Sequence, residues 1–437
     1  MADETLSPAD LAGRALGERV RVGGRVLASA PGALVVADAL GALRVALEPA
    51  GASAAGPGDA TGAPAGAKAE RAAGPDDATG AEAAGPGDLV VVEGRLAAGG
   101  RLEGARVAFR QRPAGPHDAP GGDVRRLLHG GVGRALAARA LALGAVRSFF
   151  DARGFVEVET PLRVPCPGLD PHLVGVPAGP GRYLITSPEY QMKRLLAGGV
   201  PRCYQLARCF RGDESGRLHE PEFTMLEWYR SFAGVDDVMA DTEAIVRAAA
   251  AALGRPDRLE SGGLVASLEG PFARVTVAEA FARYAGVGEA EMLRLAAEDE
   301  TAYFRVFVEA IEPSLAALGR PAFVVDFPVA HASLARQKPA DPRYAERFEL
   351  YAAGVELCNG FGELTDPAEQ RARFERDLAA RRERGLAAYP IDERFLAALA
   401  EGMPPSAGNA LGFDRLVALA LGAPSVGAVM AFPDATL

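Results

Sequence analysis

A stretch of low complexity divides the N-terminal region of the 437-residue chain. Residues 51–87 consist mostly of Ala, Gly, Pro and Asp, and the ten residues from Ala54 recur nearly intact from Ala72. No copy carries an apolar face, so this segment can neither bury a core nor build a repeat architecture. We therefore expect a disordered insertion, and the ordered segments on its two sides must pair with each other across it.

Short runs of β-favouring residues flank this insertion. Residues 20–22, 33–36 and 43–47 precede it, separated by Gly and Pro-Gly turns, and residues 89–92 and 102–107 follow it around a Gly-Gly turn. Several short strands close together indicate a small barrel of the OB type. The sequence thus predicts an OB-like β-barrel at residues 1–112, followed by a Pro/Gly-rich linker at residues 113–124.

The remaining chain, residues 125–437, predicts an α+β domain. A helix is expected near residues 134–153, because Leu141, Ala145 and Phe149 recur at every fourth position and Gly154 is placed to cap its end. Further helices are expected at residues 235–253 and 367–384. Strand-like segments lie at residues 155–158, 183–186, 203–210, 222–228, 323–327, 348–357 and 410–413. Without regular βαβ alternation, they favour an antiparallel sheet flanked by helices.

Composition excludes several classes of function. The sequence has no run of about 18 apolar residues that would span a membrane. Its first ten residues are acidic and lack an apolar signal core, so we expect a cytoplasmic protein with no membrane partner. The four cysteines form no CxxC pair, which predicts reduced thiols and no zinc site. A net charge of −10 gives no overall attraction to nucleic acid.

Three segments rich in charged residues and glycine follow one another along this domain. They are GFVEVETP at residues 154–161, CFRGDE at 209–214 with HEPEFTMLEWY at 219–229, and GNALGFDR at 408–415. In sequence and order they resemble the three signature motifs of class II aminoacyl-tRNA synthetases. Each motif alone is a weak signal, whereas all three in order argue against a chance match.

Two more segments narrow the resemblance. TSPEYQMKRLL at residues 186–196 and ELCNGFGELTD at 356–366 resemble the lysyl branch of this class. Within it they are most similar to the stand-alone paralogues that attach (R)-β-lysine to elongation factor P. The resemblance runs from about residue 125 to the end of the chain, and the N-terminal barrel resembles a shrunken anticodon-binding domain. It also implies a homodimer, with Pro161 at the interface.

This resemblance implies an ATP-dependent, AMP-forming ligase that uses Mg²⁺. A carboxylate oxygen attacks the α-phosphate of ATP, and planar, permanently charged guanidinium groups suit the charge that builds on the phosphoryl oxygens. Arg211 at the α-phosphate and Arg415 at the γ-phosphate are the expected catalytic residues, with Phe223 stacked on adenine. The expected ATP site comprises Arg211, Gly212, Asp213, Glu220, Phe223, Glu356, Leu357, Gly412 and Arg415.

It also implies an acidic pocket for a diamino acid, because buried ammonium groups need carboxylate partners. Glu189 is expected at the backbone amine, and Glu227, Tyr229 and Glu363 around the side-chain amine. The expected substrate-binding residues are Ser187, Pro188, Glu189, Glu227, Tyr229, Asn359, Glu363 and Ala410. Carboxylate oxygens are the ligands that hard cations prefer, and the expected ligands of Mg²⁺ are Glu356 and Glu363.

Two positions depart from the family pattern. The second motif usually reads Arg-x-Glu, whereas here Asp213 follows Arg211 and Gly212. Its shorter side chain loosens the expected adenine-side contact, or Glu214 substitutes for it. Glu220 stands where the family commonly has Asn, which places a carboxylate near ATP and requires Mg²⁺ or an arginine nearby. Neither change removes an arginine, so we expect an active enzyme.

Two features bear on the acceptor. Single-stranded RNA recognition depends on aromatic platforms and a basic groove, yet residues 1–108 contain no Phe, Tyr or Trp. Residues 1–120 contain 12 Lys and Arg against 15 Asp and Glu. The second feature is Ala410, since lysyl-tRNA synthetases resemble this stretch but carry Gly there. One extra methyl would favour (R)-β-lysine over L-lysine, a preference of about 1–3 kcal/mol.

These features favour elongation factor P over tRNA as the acceptor. Two alternatives stay open: a lysyl-tRNA synthetase with a degenerate anticodon-binding domain, and an inactive paralogue that senses an amino acid. An absence of ATP–pyrophosphate exchange would identify the last of these, although Arg211, Arg415 and Glu356 argue against it.

Overall fold

The computed structural model describes residues 4–48, 84–332 and 334–437. The predicted disordered insertion at residues 51–87 lies, as far as residue 83, outside the described residues. The chain forms two compact units, Met1–Ala137 and Ala138–Leu437, and each is described by itself. Among the described residues, no helix is both long and apolar enough to cross a membrane.

The first unit is a small β-barrel. Its strands are β1 (Thr5–Leu6), β2 (Arg19–Ala30), β3 (Ala33–Ala37), β4 (Ala42–Leu47), β5 (Leu89–Ala97) and β6 (Arg101–Gln111). The long strand β2 pairs antiparallel with both β3 and β5. Antiparallel β3–β4 and β5–β6 pairs and a parallel β4–β6 pair close a ring of five strands, and β1 joins β2 in parallel. The predicted OB-like barrel is confirmed.

Alternating side chains explain why these strands close on themselves. Val20 and Val22 of β2, and Val90 and Val92 of β5, point inward and are buried, while the residues between them are more exposed. Period-two burial is the pattern of strands with one face in a core. The interior is therefore filled by small branched residues.

The second unit is built on an eight-stranded sheet. The strands of this unit are β7 (Val156–Glu157), β8 (Arg163–Val164), β9 (Tyr183–Leu184), β10 (Arg202–Phe210), β11 (Glu222–Ser231), β12 (Arg258–Ser261), β13 (Leu264–Ser267), β14 (Ala273–Thr276), β15 (Ala322–Pro328), β16 (Tyr344–Ala352), β17 (Val355–Gly362) and β18 (Ser406–Gly412). The main sheet has the order β14-β15-β16-β17-β18-β11-β10-β7. Its six inner strands pair antiparallel and each edge strand pairs in parallel.

Helices surround this sheet. They are α1 (Val132–Asp151), α2 (Glu189–Ala197), α3 (Val235–Ala252), α4 (Val277–Ala280), α5 (Glu289–Glu298), α6 (Glu300–Val306), α7 (Glu312–Ala316), α8 (Pro367–Glu383), α9 (Glu393–Gly402) and α10 (Phe413–Leu421). Single 3-10 or π turns of this unit lie at Phe281–Ala285, Phe307–Ile311, Val329–His331, Val426–Val429 and Asp434–Thr436, and the first unit has such turns at Pro8–Leu11 and Arg125–His129. The predicted α+β fold, an antiparallel-rich sheet flanked by helices, is confirmed.

Helix α1 ends as its sequence predicts. Gly154 has a φ of +69°, a backbone conformation that favours glycine, and the Phe155 N–H donates to the carbonyl of Phe150 at 3.2 Å. The single β segment expected at residues 348–357 is wrong in one respect, because Ala353 and Gly354 turn the chain and divide it between β16 and β17. Both residues have positive φ, so they form the tight turn of a hairpin.

Candidate active site

A cavity of about 640 Å³ lies against the sheet of the second unit. Side chains of β11, β17, β18, α2, α6 and α8 line it. Eleven of the expected site residues are among them: Ser187, Glu189, Arg211, Glu220, Phe223, Glu356, Leu357, Asn359, Ala410, Gly412 and Arg415. The expected residues outside the lining are Pro188, Gly212, Asp213, Glu227, Tyr229 and Glu363.

Small residues of β18 leave room for a ligand on this face. Opposite residues of an antiparallel pair share a face of the sheet. Along β11 and β18 the opposed pairs are Met225 with Gly412, Glu227 with Ala410, and Tyr229 with Gly408. A Cβ at Gly408 would lie 2.2 Å from Cδ1 of Tyr229, so only glycine lets this ring pack against the strand.

A β-bulge places Glu356 on the same face as Asn359. The register of β16 and β17 shifts at this point, with Leu350 opposite Cys358 and Tyr351 opposite Glu356. Leu357 is the extra residue, and a bulge of this kind re-aims the side chain beside it. Without the bulge, residues three apart would point to opposite faces. The ELCN segment can therefore present both polar side chains to the cavity.

Arg211 lies beside Phe223, with its guanidinium carbon 5.1 Å from the ring centroid. Its Nη1 donates to Oε1 of Glu214 at 3.3 Å, whereas the Asp213 side chain is exposed to solvent. The buried Nε of Arg211 finds no acceptor within the described part of the chain. An unused charged donor next to an aromatic face suits a nucleotide phosphate beside its base.

Arg415, at the start of α10, is held by three contacts. Its Nη1 donates to the carbonyl of Glu356 at 3.0 Å and its Nε to the carbonyl of Leu218 at 3.2 Å. Its Nη2 lies 2.5 Å from Nε2 of His219. Burial and the Arg415 charge lower the pKa of His219, which keeps the imidazole neutral and able to accept this hydrogen bond. Sequence reasoning gave His219 no role, yet it orients the expected catalytic arginine.

Glu356 is a half-buried carboxylate among charged neighbours. Burial raises its pKa to about 7, and the carboxylate of Glu349 adds to the rise. The guanidinium groups of Arg415, Arg347 and Arg211 oppose this shift. A cation bound nearby would favour the ionised form further.

A buried polar network joins helix α1 to the second and third motif segments. The Arg139 side chain of α1 forms an ion pair with Asp414 of the third motif and donates from Nη2 to Oγ1 of Thr224 at 2.9 Å. The Thr224 N–H in the second motif donates to Oδ2 of Asp414 at 2.7 Å. These bonds fix strand β11 and helix α10 relative to each other, and so position Phe223 and Arg415.

Glu227 is a fully buried carboxylate without a cationic contact in the described chain. It accepts hydrogen bonds from the hydroxyls of Ser187 at 2.7 Å and Tyr229 at 2.6 Å. Burial, with the Glu189 carboxylate nearby, raises the pKa of Glu227 to about 8. Ser187 lines the cavity, so the Glu227 carboxylate lies directly behind the Ser187 hydroxyl.

Glu189 and Glu363 share one lysine. Nζ of Lys193 lies 2.5 Å from Oε1 of Glu189 and 2.5 Å from Oε2 of Glu363, and both Lys193 and Glu363 are buried. Burial opposes the charge of Lys193, but the two carboxylates outweigh it and raise its pKa to about 12. Sequence reasoning overlooked Lys193, although the four-residue spacing from Glu189 on one helix is a signal for this contact.

Asn359 and Glu220, two further expected site residues, differ in the hydrogen bonds that their side-chain oxygens accept. Oδ1 of Asn359 is buried and has no hydrogen-bond donor among the described residues, so an acceptor is available at the cavity wall. Oε2 of Glu220 accepts the N–H of Asp434 at 3.0 Å. The extra carboxylate at position 220 is therefore satisfied by the backbone rather than by an arginine.

Polar and aromatic groups from several elements border another part of the cavity. Glu300 of α6 accepts from Nη2 of Arg384 at 2.6 Å and lies 3.3 Å from Nε2 of His172. His331 stacks on Tyr303 with ring centroids 4.6 Å apart. Burial lowers the pKa of His331 to about 4, which suits a neutral packing role.

The two expected Mg²⁺ ligands lie in different surroundings. Glu356 lines the cavity, whereas Glu363 is buried against Lys193. In the described chain, no group of three or more His, Cys, Asp or Glu side chains is arranged to hold a metal ion. Mg²⁺ often takes one or two carboxylates and completes its shell with phosphate oxygens and water. Glu356 fits that arrangement, and Glu363, already bonded to an ammonium group, does not.

Comparison with known proteins agrees with this geometry. The family described as tRNA synthetases class II (D, K and N) matches residues 124–436. The elongation factor P–(R)-β-lysine ligase of Proteus mirabilis is 42% identical over 321 residues, which cover 68% of this chain and 93% of that protein. The ligases of Vibrio cholerae (42% over 325 residues, 68% and 94%) and Edwardsiella ictaluri (43% over 320 residues, 67% and 93%) are similar to the same extent. The resemblance seen in the motifs is confirmed, and the chain belongs to the class II tRNA synthetase family.

Proposed function

We propose that this chain is an ATP-dependent ligase that activates (R)-β-lysine or lysine as an adenylate and transfers it to a lysine side chain of elongation factor P. The observation that carries the proposal is Glu227, a buried carboxylate whose contacts in the described chain are neutral hydroxyl groups. Once ionised, a buried carboxylate of this kind needs a cationic partner, and the ammonium group of a diamino acid supplies one. The names of the relatives point to the same substrate and acceptor.

The spacing along β11 fits an aminoacyl adenylate. Phe223 and Glu227 share a face of this strand and lie four residues apart, which corresponds to about 13 Å. In the proposal Phe223 packs on adenine and Glu227 binds the far ammonium group. Glu189 and the free acceptor of Asn359 then meet the second ammonium group, which leaves the substrate carboxylate near Arg211.

In the activation step, a carboxylate oxygen of the amino acid forms a bond to the α-phosphorus of ATP, and the bond to pyrophosphate breaks. Arg211 stabilises the charge that develops on the α-phosphoryl oxygens, and Arg415, held by Glu356 and His219, binds the departing phosphates. Mg²⁺ would be held by Glu356 together with phosphate oxygens and would neutralise phosphate charge. Gly212, Asp213 and Leu357 complete the proposed nucleotide environment through the backbone positions beside Arg211 and Glu356.

In the transfer step, the neutral ε-amine of the acceptor lysine attacks the carbonyl carbon of the adenylate. An amide bond forms, the bond to the AMP oxygen breaks, and the amine loses a proton. A tRNA acceptor would use a barrel suited to RNA, but among the described barrel strands Phe109 is the first aromatic residue. Stacking residues contribute much of single-strand affinity, so the protein acceptor is favoured.

We also propose that the chain forms a homodimer through α1 and the edge strand β7. Leu141 of α1 is 61% exposed and Val156 of β7 is 50% exposed. Exposed apolar residues beside an unpaired strand edge are typical of an interface. A Leu141→Glu variant should shift the mass measured by light scattering from dimer to monomer, and an unchanged dimer would exclude this surface.

The decisive experiment is an intact-mass measurement on purified elongation factor P after incubation with this enzyme, ATP, Mg²⁺ and (R)-β-lysine. A parallel reaction contains bulk tRNA and L-lysine. The proposal expects a gain of one lysyl unit on the protein and uncharged tRNA. Charged tRNA with unmodified protein would instead identify a lysyl-tRNA synthetase, and no ATP–pyrophosphate exchange at all would identify an inactive paralogue.

A further inference from the structure

Lys193 lies behind the cavity wall, next to the proposed amino-acid site. It lies one turn after Glu189 on α2, and its ammonium group joins that cavity-lining carboxylate to the buried Glu363. The Lys193 side chain is 1% exposed, so it does not contact solvent or line the cavity. Its charge nevertheless acts on the carboxylates that the proposed function assigns to substrate.

The charges of this cluster do not balance. Three carboxylates, Glu189, Glu227 and Glu363, lie around the single ammonium group of Lys193, so the cluster has an excess of two negative charges when all three are ionised. Arg336 also acts on Glu363, but its guanidinium is bonded through Nε and Nη2 to Glu346. Among the described residues, the hydroxyls of Tyr229 and Tyr190 and the thiols of Cys203 and Cys209 also lie near these carboxylates. All four are neutral, because burial raises the pKa of each above its ordinary value.

Two unbalanced negative charges match a ligand with two ammonium groups. A diamino acid would bring the buried cluster to neutrality, which is the favourable state for charges removed from water. A ligand with one ammonium group would leave one carboxylate uncompensated, and that carboxylate would have to take up a proton or remain a costly buried charge.

Position 193 carries a lysine, although most basic residues of this chain are arginines. The chain has 47 basic residues, of which three are lysines: Lys68, Lys193 and Lys338. At position 193 one nitrogen lies 2.5 Å from oxygens of two different carboxylates. A compact ammonium group with three donors can bridge them, whereas the planar fork of arginine is larger and binds carboxylates side by side.

We propose that Lys193 is a specificity-determining and positioning residue of the amino-acid site: by neutralising one of three carboxylates and holding Glu189 and Glu363 in place, it sets the site to accept a substrate with two ammonium groups. This inference rests on the proposed function. Lys193 touches no substrate, so it acts through Glu189 and Glu363.

The test compares Lys193→Met, which removes the charge and keeps much of the volume, with Lys193→Arg, which keeps the charge. ATP–pyrophosphate exchange is measured for each against (R)-β-lysine and L-lysine over a range of pH. Lys193→Met should raise KM for the diamino acid by about tenfold or more, because a buried charge loses its partner, while KM for ATP stays unchanged. In a plot of KM against pH, the rise of KM on the acidic side (the acidic limb) should begin at a higher pH in this variant. The reason is that Glu189 and Glu363 without a neighbouring cation hold protons more tightly.

Lys193→Arg should return the acidic limb to the wild-type position even where KM remains raised. The matched control is Lys338→Met, which removes a lysine whose Nζ lies 2.5 Å from Oδ2 of Asp326 and which does not line the cavity. Its KM and pH profile should equal those of the wild-type enzyme.

The outcomes separate this inference from the proposed function. If wild-type enzyme exchanges pyrophosphate with diamino acids and Lys193→Met lowers only thermal stability or kcat, with the acidic limb unmoved, Lys193 is merely structural and the inference is overturned. If wild-type enzyme uses no diamino acid at all, the proposed function fails and the inference falls with it.

Discussion

Glu227 of β11 lies directly opposite Ala410 of β18 in the central sheet. On its other side Ala410 lies opposite Asn359 of β17, so one methyl group separates the buried Glu227 carboxylate from the buried amide oxygen of Asn359 along a single row. Polar groups that would meet the substrate therefore flank the smallest side chain with a Cβ. The Ala410 methyl group therefore lies where its contact with the substrate would depend on which carbon carries the amine.

Replacing Ala410 with glycine should shift the amino-acid preference toward L-lysine. Removing one methyl from a binding pocket is worth about 1–3 kcal/mol, so the ratio of kcat/KM for (R)-β-lysine over L-lysine should fall by about tenfold or more. ATP–pyrophosphate exchange with each amino acid measures this ratio. Ala407→Gly is the control, because Ala407 is buried on the same strand and points to the other face. An unchanged ratio in Ala410→Gly would remove Ala410 from specificity.

Replacing Arg211 with lysine should slow activation. The unused Nε and the planar group would be lost, and removing one donor to a developing oxyanion costs about 3–4 kcal/mol, or roughly 10²–10³ in kcat. Pyrophosphate exchange at saturating substrates gives kcat, and equilibrium dialysis gives amino-acid affinity, which should stay unchanged. Arg294→Lys is the control, because Arg294 bonds Glu291 and Glu298 on the surface of α5 and none of these three residues lines the cavity. Equal kcat for the Arg211 variant and this control would exclude the catalytic assignment.

Amino-acid affinity should weaken as pH falls below about 8. Burial raises the pKa of Glu227 to about 8, so in the free enzyme this carboxyl is largely protonated at lower pH. An ammonium ligand binds the ionised form, and a proton must therefore leave, which weakens binding by up to about tenfold per pH unit. Calorimetry in buffers of different ionisation enthalpy should detect proton release at pH 7. Binding without proton release would show that Glu227 is already ionised.

The raised pKa of Glu227 predicts the opposite pH dependence for the stability of the free enzyme. Its folded pKa lies above the ordinary value of 4.5, so its contribution is fully present below pH 4.5 and is lost as pH rises to about 8. Glu227→Gln should lack this contribution, so its free energy of unfolding should fall less than that of wild type across this window. Urea unfolding at several pH values gives the comparison.

Glu356 and Glu363 should respond differently to substitution. Glu356→Gln should raise the Mg²⁺ concentration needed for half-maximal pyrophosphate exchange by about tenfold, because it removes a carboxylate ligand beside the phosphates. Glu363→Gln should instead raise KM for the amino acid, because it disturbs Lys193 and Glu189. A titration of both variants with Mg²⁺ checks this contrast. A similar Mg²⁺ requirement in both variants would support a shared metal site.

Local residue patterns were sufficient for much of this protein. Strands β2 to β6 were predicted from short runs of β-favouring residues between glycine turns. Helix α1 was predicted from apolar residues at every fourth position and from Gly154. Both signals depend only on neighbours along the chain. The expected roles of Arg211, Phe223 and Arg415 came from motif resemblance alone, and the cavity brings these three side chains together. The roles of these three side chains in catalysis stay predictions.

Only the tertiary structure decided which polar groups face each other. The bulge at Leu357 turns Glu356 toward Asn359, and a strand register cannot be read from one strand alone. Lys193 meets Glu363 across 170 residues of chain, and Glu214 rather than Asp213 contacts Arg211. The sequence determined the kinds of elements and the chemistry available to them, because these depend on local pattern. Charge balance in the amino-acid site depends on contacts between distant segments, and packing alone sets those.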